Sequence, residues 1–300
     1  MLLGGRMAEP KQIRPSEFNY MREIKSENIV AALKKMCLEA NCIISDEVTG
    51  LLKKAMQIEE SPTGKEIIQQ IMENDRIAKE KMVPICQDTG TAVIFVEIGQ
   101  EVHITGGYLY DAINEGVRQG YTEGYLRKSI VSDPLNRKNT GDNTPAVIHP
   151  DIVPGDKLKI WILPKGGGSE NMSALKMLPP SAGLEGVKKF ILESVKNAGA
   201  NPCPPVIVGI GIGGNFDGVA VMAKRAHLRP AGAPNPNPFY AKLEQDLLTE
   251  INNTGIGPQG LGGRCTALAV HIEYGPAHIT ALPVAVNINC HAARLRQVVL

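Results

Sequence analysis

Apolar and charged positions alternate at helical spacing along the first 82 residues. Apolar residues recur every three or four positions in the stretches SENIVAALKKMCLEA, DEVTGLLKKAMQ and TGKEIIQQIMENDRIAKEKM, which is the period of one face of an α-helix. Ser26 and Thr63 stand where N-caps are expected, because a hydroxyl accepts a hydrogen bond from a free N–H of the first helical turn. The pattern predicts a helical N-terminal layer over 1–82 that belongs to the same domain as the rest.

From position 83 onward, short runs rich in β-branched residues predict strands. These runs are AVIFVEI, KLKIWIL, PPVIVGIGI, ALAVHIEY and LPVAVNI. Between them the helical period predicts helices over 108–126, 183–198, 216–227 and 238–252. The interleaving predicts an α/β or α+β fold, in which small β-sheets are surrounded by helices and 83–300 forms a catalytic domain.

The helix over 238–252 has the clearest boundaries. Asn237 is placed to cap it, Pro238 suits its first turn and Gly255 follows its end. Its apolar stripe consists of Leu243, Leu247 and Ile251.

Composition narrows the class of protein. The chain has 300 residues, 43% of them hydrophobic, and 32 Lys plus Arg balance 31 Asp plus Glu. This balance excludes the basic footprint of a nucleic-acid or anionic-membrane protein and favours a small-molecule partner. No stretch approaches the roughly 18 apolar residues of a membrane span, and the N-terminus lacks the apolar core of a signal peptide. We therefore expect a cytoplasmic protein.

The six cysteines are scattered and lack the dense, even spacing of a secreted disulfide scaffold. In a reducing compartment they are expected to be thiols or metal ligands. The chain contains no C-x-x-C motif, and Cys290 with His291 does not form a zinc spacing, so spacing alone establishes no metal site.

A thiol, an amide and a carboxylate stand side by side just before a predicted strand. They belong to Cys86, Gln87 and Asp88. One interpretation is a turn, in which Asp88 binds nearby backbone N–H groups and Cys86 is a small buried hydrophobic residue. The other interpretation is an active site, and the residues alone leave both open.

Two glycine-rich stretches also carry candidate chemistry. KGGGSEN at 165–171 follows a strand, and its N–H groups could hold a carboxylate or phosphate, although a flexible surface loop explains it equally well. Gly209, Gly211 and Gly214 match the G-x-G-x-x-G spacing of a dinucleotide-binding turn. No acidic residue follows about 20 positions later, which argues against nucleotide binding.

Seven motifs in order resemble the class I fumarase and L-tartrate dehydratase family, over nearly the whole chain. They are ICQDTG at 85–90, LRKS at 126–129, NTPAVIH at 143–149, KGGGSEN at 165–171, CPP with GIGG at 203–214, GIGPQGLGG at 255–263 and NCHAAR at 289–294. The length resembles that of the α subunit of a two-subunit hydro-lyase. The resemblance implies a hetero-oligomer, in which a separate β subunit completes the active site.

The resemblance also implies a 4Fe-4S cluster bound by Cys86, Cys203 and Cys290, which we expect loops to carry. Three thiolates leave one iron open to act as a Lewis acid on a substrate hydroxyl. By the same resemblance Asp88 is an acid/base group beside that iron. His278 would line the site and relay protons, although a lone histidine at a strand start is more often structural.

The substrate implied by the resemblance is a small dicarboxylate. Arg127 would hold one carboxylate, and Gln87 and the backbone of Gly168 would contact the substrate; without the resemblance Arg127 would be a solvated surface residue. The expected reaction is the reversible dehydration of (S)-malate to fumarate, because KGGGSEN and the segment from LRKS to NTPAV resemble the fumarase branch. The alternatives are an L-tartrate dehydratase that forms oxaloacetate and a non-catalytic scaffold subunit.

Overall fold

The computed structural model describes residues 21–300, so the first 20 residues of the predicted helical layer lie outside the described part. The layer contains one short strand and three helices: β1 (Arg22–Lys25), α1 (Ser26–Cys42), α2 (Asp46–Ile58) and α3 (Pro62–Lys81). Its helical character is confirmed, whereas its assignment to the same domain as 83–300 stays a prediction.

Both predicted N-caps of this layer are wrong by one or two residues. Helix α1 starts at Ser26 itself, and Lys25 precedes it without a side-chain cap. Helix α3 is capped by Ser61, whose hydroxyl accepts a hydrogen bond from the N–H of Gly64, while Pro62 occupies the first turn. Proline suits that turn because its missing N–H would have no helical partner, and the cap therefore falls on the residue before it.

The remaining elements confirm the α/β prediction. They are β2 (Thr91–Gly99), β3 (Val102–Thr105), α4 (Leu109–Glu123), β4 (Val147–Val153), β5 (Leu158–Lys165), α5 (Gly167–Glu170), β6 (Ala174–Leu178), α6 (Gly183–Ala198), β7 (Val206–Gly214), α7 (Phe216–Arg225), α8 (Pro238–Asn252), β8 (Ala267–Ala277), β9 (Leu282–Asn289) and β10 (Arg296–Val299). The five predicted strands correspond to β2, β5, β7, β8 and β9. The cap at Asn237 is confirmed, since its side chain accepts from the N–H of Phe239.

The strands form three small sheets. Strands β1 and β3 pair in parallel; the first four-stranded sheet has the order β10-β5-β2-β4 and the second has the order β6-β9-β7-β8. Both larger sheets mix parallel and antiparallel pairs. No helix among the described residues is long and apolar enough to cross a membrane.

Each large sheet packs against a pair of helices, and α7 also packs against the second sheet. The first sheet buries Ile94 and Ile160 against α1 and α4, and α4 approaches α1 closely because it presents glycine there. A Cβ atom added at Gly120 would lie 2.6 Å from Cys37 Cβ. The second sheet packs against α6 and α8, where Leu247 and Ile251 of the predicted stripe are buried.

A third cluster joins the helical layer to the second sheet. It contains Leu52 of α2, Ile68 of α3 and Ile207 of β7, and Cys290 packs against it. The layer therefore meets the second sheet at one edge formed by strand ends, where β7 begins and β9 ends.

Candidate active site

Three cysteines lie in loops at that edge. Cys86 lies between α3 and β2, Cys203 precedes β7 and Cys290 follows β9, all outside helices and strands as predicted. Strands β7 and β9 are antiparallel neighbours, with Ile207 opposite Asn289, so the start of one lies beside the end of the other. The N–H of His291 donates to the carbonyl of Cys203 at 3.4 Å, which ties the two loops together.

The side chains of these three cysteines lie near one another. Burial raises the pKa of the Cys203 thiol, and the nearby Cys290 and Cys86 thiols raise it further. Cys86 and Cys203 are exposed and Cys290 is half-buried, whereas the other three cysteines of the chain are buried. The sequence alone could not show this convergence, because the three positions are far apart along the chain.

The turn that carries Cys203 has an unusual backbone. Cys203 adopts a left-handed conformation with φ of 55°, which non-glycine residues adopt rarely and at some energetic cost. The next carbonyl, that of Pro204, accepts from both the backbone N–H of Gln259 at 2.8 Å and its side-chain amide at 3.0 Å. The GIGPQGLGG motif therefore holds this turn in place.

Asp88 connects the Cys86 loop to the glycine-rich loop. One carboxylate oxygen accepts from the N–H of Gly90 at 3.0 Å, and the other accepts from the N–H of Gly167 at 2.7 Å. The N–H of Asp88 itself donates to Cys86 Sγ at 3.4 Å. The turn predicted for Asp88 is thus present, and it orients the carboxylate beside a cysteine.

The glycines around Asp88 allow close approach of the backbone. Gly90 has φ of 77°, and a Cβ atom there would lie 2.8 Å from the backbone of Lys165. A Cβ atom at Gly166 would lie 3.2 Å from Asp88 Oδ2. The flexible-loop interpretation of KGGGSEN is wrong, because Gly167–Glu170 forms a single helical turn.

Arg294, the last residue of NCHAAR, is a buried part of the site that sequence analysis missed. It is 2% exposed, and its Nη1 donates to the carbonyl of Asp88 at 2.7 Å and to Asn41 Oδ1 at 3.0 Å. The carbonyl of Asn41 in turn accepts from the N–H of Ile85 at 2.9 Å. The guanidinium therefore links the loop after β9, the Cys86 loop and helix α1. Its place at the end of a distinctive motif was the only signal in the sequence.

Lys165 is a second buried cation that sequence analysis gave no role. It is 2% exposed, and its Nζ donates to Ser169 Oγ and to the carbonyl of Ile288, both at 2.7 Å. Burial lowers the pKa of Lys165 to about 8, against the opposing effect of Glu170 at 3.3 Å. Lys165 thereby ties the start of the glycine-rich loop to the strand that ends before Cys290.

The predicted substrate-binding residues surround Asp88. Gln87 and Gly168 are exposed and lie one residue from Asp88 and from its partner Gly167, respectively. Arg127 is exposed, and its carbonyl accepts from Thr89 Oγ1 at 3.0 Å. Within residues 21–300 the Arg127 guanidinium forms no ion pair. All three are therefore exposed in loops next to Asp88 or its immediate neighbours.

His278, by contrast, lies at the opposite edge of the second sheet. It follows Ala277, which pairs with Gly214 at the far end of β7, whereas Cys203 precedes the near end. At about 3.3 Å per residue, the strand separates them by roughly 25 Å. His278 is exposed, and its Nδ1 lies 2.8 Å from Thr280 Oγ1. Within one chain His278 does not join the site.

The glycines of the dinucleotide-like stretch have a packing role. Gly209 and Gly211 lie inside β7, where added Cβ atoms would come within 2.4 Å of the carbonyl oxygens of Ala223 and Val219. They let helix α7 pack closely on the strand. The structure therefore gives this stretch no phosphate-binding loop at these two positions.

Three cysteine thiols are a donor set that can bind an iron-sulfur cluster. Among residues 21–300, no group of three or more His, Cys, Asp or Glu is arranged to hold one metal ion. A cubane cluster instead binds each thiolate through a different iron, so its ligands need only surround a common space. Three neighbouring thiols on loops that open to solvent fit that requirement.

Comparisons with known proteins point to one family. The family model described as fumarate hydratase (Fumerase) matches residues 30–299. A provisionally named L(+)-tartrate dehydratase subunit alpha of Methanocaldococcus jannaschii is 44% identical over 262 residues, which is 85% of this chain and 92% of that protein. The L(+)-tartrate dehydratase subunit alpha of Escherichia coli strain UTI89 is 37% identical over 282 residues, 91% of this chain and 92% of that protein. The similarity extends over nearly the whole chain.

Proposed function

Since the chain belongs to the fumarate hydratase (Fumerase) family, we propose that it is the α subunit of a two-subunit hydro-lyase acting on a four-carbon hydroxy dicarboxylate. The relatives matched over 92% of their length are named as alpha subunits, which supports this assignment. A separate β subunit then completes the active site in a hetero-oligomer.

The proposed reaction is dehydration of L-tartrate, whose enol product becomes oxaloacetate. The names of the relatives at 37% to 44% identity favour this substrate, although sequence analysis placed it second. Dehydration of (S)-malate to fumarate is the other candidate, which the description of the family model favours. The two substrates differ by one hydroxyl, so discrimination depends on whether a donor or acceptor meets the second hydroxyl.

We assign Cys86, Cys203 and Cys290 as ligands of a 4Fe-4S cluster. The observation that supports this is the meeting of three loop thiols at one edge of the second sheet. With three thiolates bound, such a cluster would supply one open iron as a Lewis acid for a hydroxyl and a carboxylate. Binding deprotonates the thiols.

Asp88 is the proposed acid/base group of this chain. Its two backbone hydrogen bonds hold both oxygens in fixed directions, and each oxygen retains a lone pair for a substrate proton. The contact of its N–H with Cys86 Sγ keeps the carboxylate beside the cluster ligands. Asp88 would hold or deliver the proton exchanged with the departing hydroxyl.

Arg127, Gln87 and Gly168 are the proposed substrate contacts. An exposed guanidinium without an ion-pair partner among residues 21–300 can bind a carboxylate through two parallel hydrogen bonds. The side-chain amide of Gln87 and the N–H of Gly168 can donate to the second carboxylate or to a hydroxyl. These contacts fix the orientation of the diacid relative to Asp88.

His278 can serve such a site only from another chain. Its own chain keeps it at the far edge of the second sheet, so we propose that any proton relay through His278 acts on the site of a neighbouring copy.

The test is to co-express this chain with its candidate β subunit, reconstitute iron and sulfide without oxygen, and compare turnover of L-tartrate, (S)-malate and fumarate. We expect turnover, with L-tartrate preferred. Activity on none of the three substrates contradicts the hydro-lyase proposal. A complex that stays fully active with Cys290→Ala supports the scaffold alternative instead.

A further inference from the structure

A structured protrusion stands beside the candidate site. Residues 130–140, called the finger here, form a hairpin in which Val131 bridges to Asn139. The N–H of Thr140 donates to the carbonyl of Ile130 at 2.9 Å, and the N–H of Ser132 donates to the carbonyl of Lys138 at 2.8 Å. The finger is therefore held by its own backbone hydrogen bonds.

The tip of the finger presents an apolar side chain to solvent. Asp133 Oδ1 accepts from the N–H groups of Leu135 at 2.8 Å and Asn136 at 2.6 Å, which fixes the turn. Leu135 is 91% exposed, and Tyr125, earlier in the same connection, is also 91% exposed. A single exposed apolar residue is ordinary, but two on one ordered connection resemble the anchors of an interface.

The root of the finger is attached to the loop of Asp88. Asn143 is fully buried; its Oδ1 accepts from the N–H of Ser129 at 2.7 Å and its Nδ2 donates to the carbonyl of Gly90 at 3.1 Å. Thr89 Oγ1 donates to the carbonyl of Arg127, which lies just before the finger. A partner that binds the tip is therefore attached, through the root, to the loop of Asp88.

The charge of the connection favours an acidic partner. Between residues 124 and 146 the chain carries Lys128, Arg137 and Lys138 besides the proposed substrate contact Arg127, and only two acids, Asp133 and Asp142. Both carboxylates already accept backbone N–H groups of their own loop. The surface that meets the finger is expected to carry compensating negative charge.

We propose that the finger is the docking element for the β subunit, with Leu135 entering an apolar pocket that has an acidic rim. The inference rests on the proposed function, because it takes the second chain of that enzyme as the occupant. Docking at the finger brings the β subunit next to the loop that carries Thr89 and Gly90, which follows Asp88. Assembly of the α–β complex then depends on a hairpin that takes no part in the reaction.

The experiment measures binding of the purified β subunit to immobilised α chain by biolayer interferometry. Leu135→Asp is expected to raise Kd at least about tenfold. Arg137→Glu is expected to weaken binding more at low salt than at high salt. The matched control is Ile152→Asp, because Ile152 is 78% exposed but lies at the far end of β4 from the site; its Kd is expected to equal that of the wild type. Thermal melts check that each variant is folded.

The proposal is overturned if Leu135→Asp binds as tightly as the wild type, or if Ile152→Asp weakens binding equally. It is also overturned if the wild-type chain does not bind the β subunit. A wild-type complex that forms through Leu135 but turns over no substrate supports the docking inference and contradicts only the proposed activity.

Discussion

The six cysteines of this chain divide into two sets by their surroundings. Burial raises the pKa of Cys37 and of Cys265 to about 12, which keeps both as thiols at neutral pH. Cys37 packs against α4, and Cys265 Sγ donates to the carbonyl of Ala55 at 3.4 Å. Cys86, Cys203 and Cys290, in contrast, are exposed or half-buried. The surroundings of each cysteine, rather than its residue type, therefore separate structural cysteines from candidate ligands.

Replacing one candidate ligand should remove iron from the reconstituted chain. We expect Cys203→Ser to lower the iron-to-protein ratio and the visible cluster absorbance strongly, because a serine is a poor ligand for iron in such clusters. The control is Cys265→Ser, at the same edge of the same sheet, whose hydroxyl can keep the bond to Ala55. Equal iron content in both variants contradicts the assignment.

At the scale of elements, α2 and α3 enclose a groove that holds an unpartnered carboxylate. The cavity has a volume of about 540 Å³, and its charged lining residues are Asp46 and Lys53 from α2 with Glu73, Asp75, Arg76 and Lys79 from α3. Asp75 Oδ1 is buried without a hydrogen-bond partner, and burial raises the pKa of Asp75 to about 7. The packing of the two helices therefore favours the protonated carboxyl.

This burial predicts a pH dependence of stability. The folded pKa of Asp75 lies above its ordinary 3.8, so its stabilising contribution is complete below about pH 4 and is lost as pH rises through about 7. The loss should be roughly 2 to 4 kcal/mol. Asp75→Asn should therefore be more stable than the wild type at pH 8, with a smaller difference at pH 4, by urea unfolding.

The control for this prediction is Glu66→Gln, which removes an exposed carboxylate from the same helix. Its unfolding free energy should follow that of the wild type across the range. If Asp75→Asn also follows the wild type, Asp75 is not protonated in the folded protein.

At the scale of the whole molecule, the site forms where the helical layer meets the ends of both large sheets. Lys165 ends β5 of the first sheet and binds the carbonyl of Ile288 in β9 of the second. Arg294 connects the same region to α1 through Asn41. The site is thus a junction of separate packing units, and His278 alone among the predicted residues lies at the far edge.

The position of His278 predicts complementation between copies. His278→Ala and Cys203→Ser should each be inactive with the β subunit. If His278 acts on a neighbouring copy, mixing the two variants under exchange conditions should restore up to about a quarter of wild-type turnover, because half of random dimers carry one intact site. No recovery, despite exchange seen by mass spectrometry, contradicts a role for His278 in trans.

Much of the fold was accessible from short-range patterns. The five strands were predicted because each is a continuous apolar run, and α8 was predicted with its cap because Asn237 and Pro238 stand directly before its stripe. Strands β1, β3, β4, β6 and β10 were missed, since four of them are only four or five residues long and β4 is interrupted by His149, Pro150 and Asp151. Their pairing comes from neighbouring strands, which the local sequence does not specify.

The sequence by itself determined the long helices, the five apolar strands, the family resemblance and the candidate ligands, because periodicity and motifs lie within a few neighbouring residues. Only the tertiary structure decided that Cys86, Cys203 and Cys290 meet, that Arg294 and Lys165 are buried and that His278 lies at the far edge of the second sheet. Those outcomes depend on strand order and on helix packing between distant segments, and contacts of that kind form only when the chain folds.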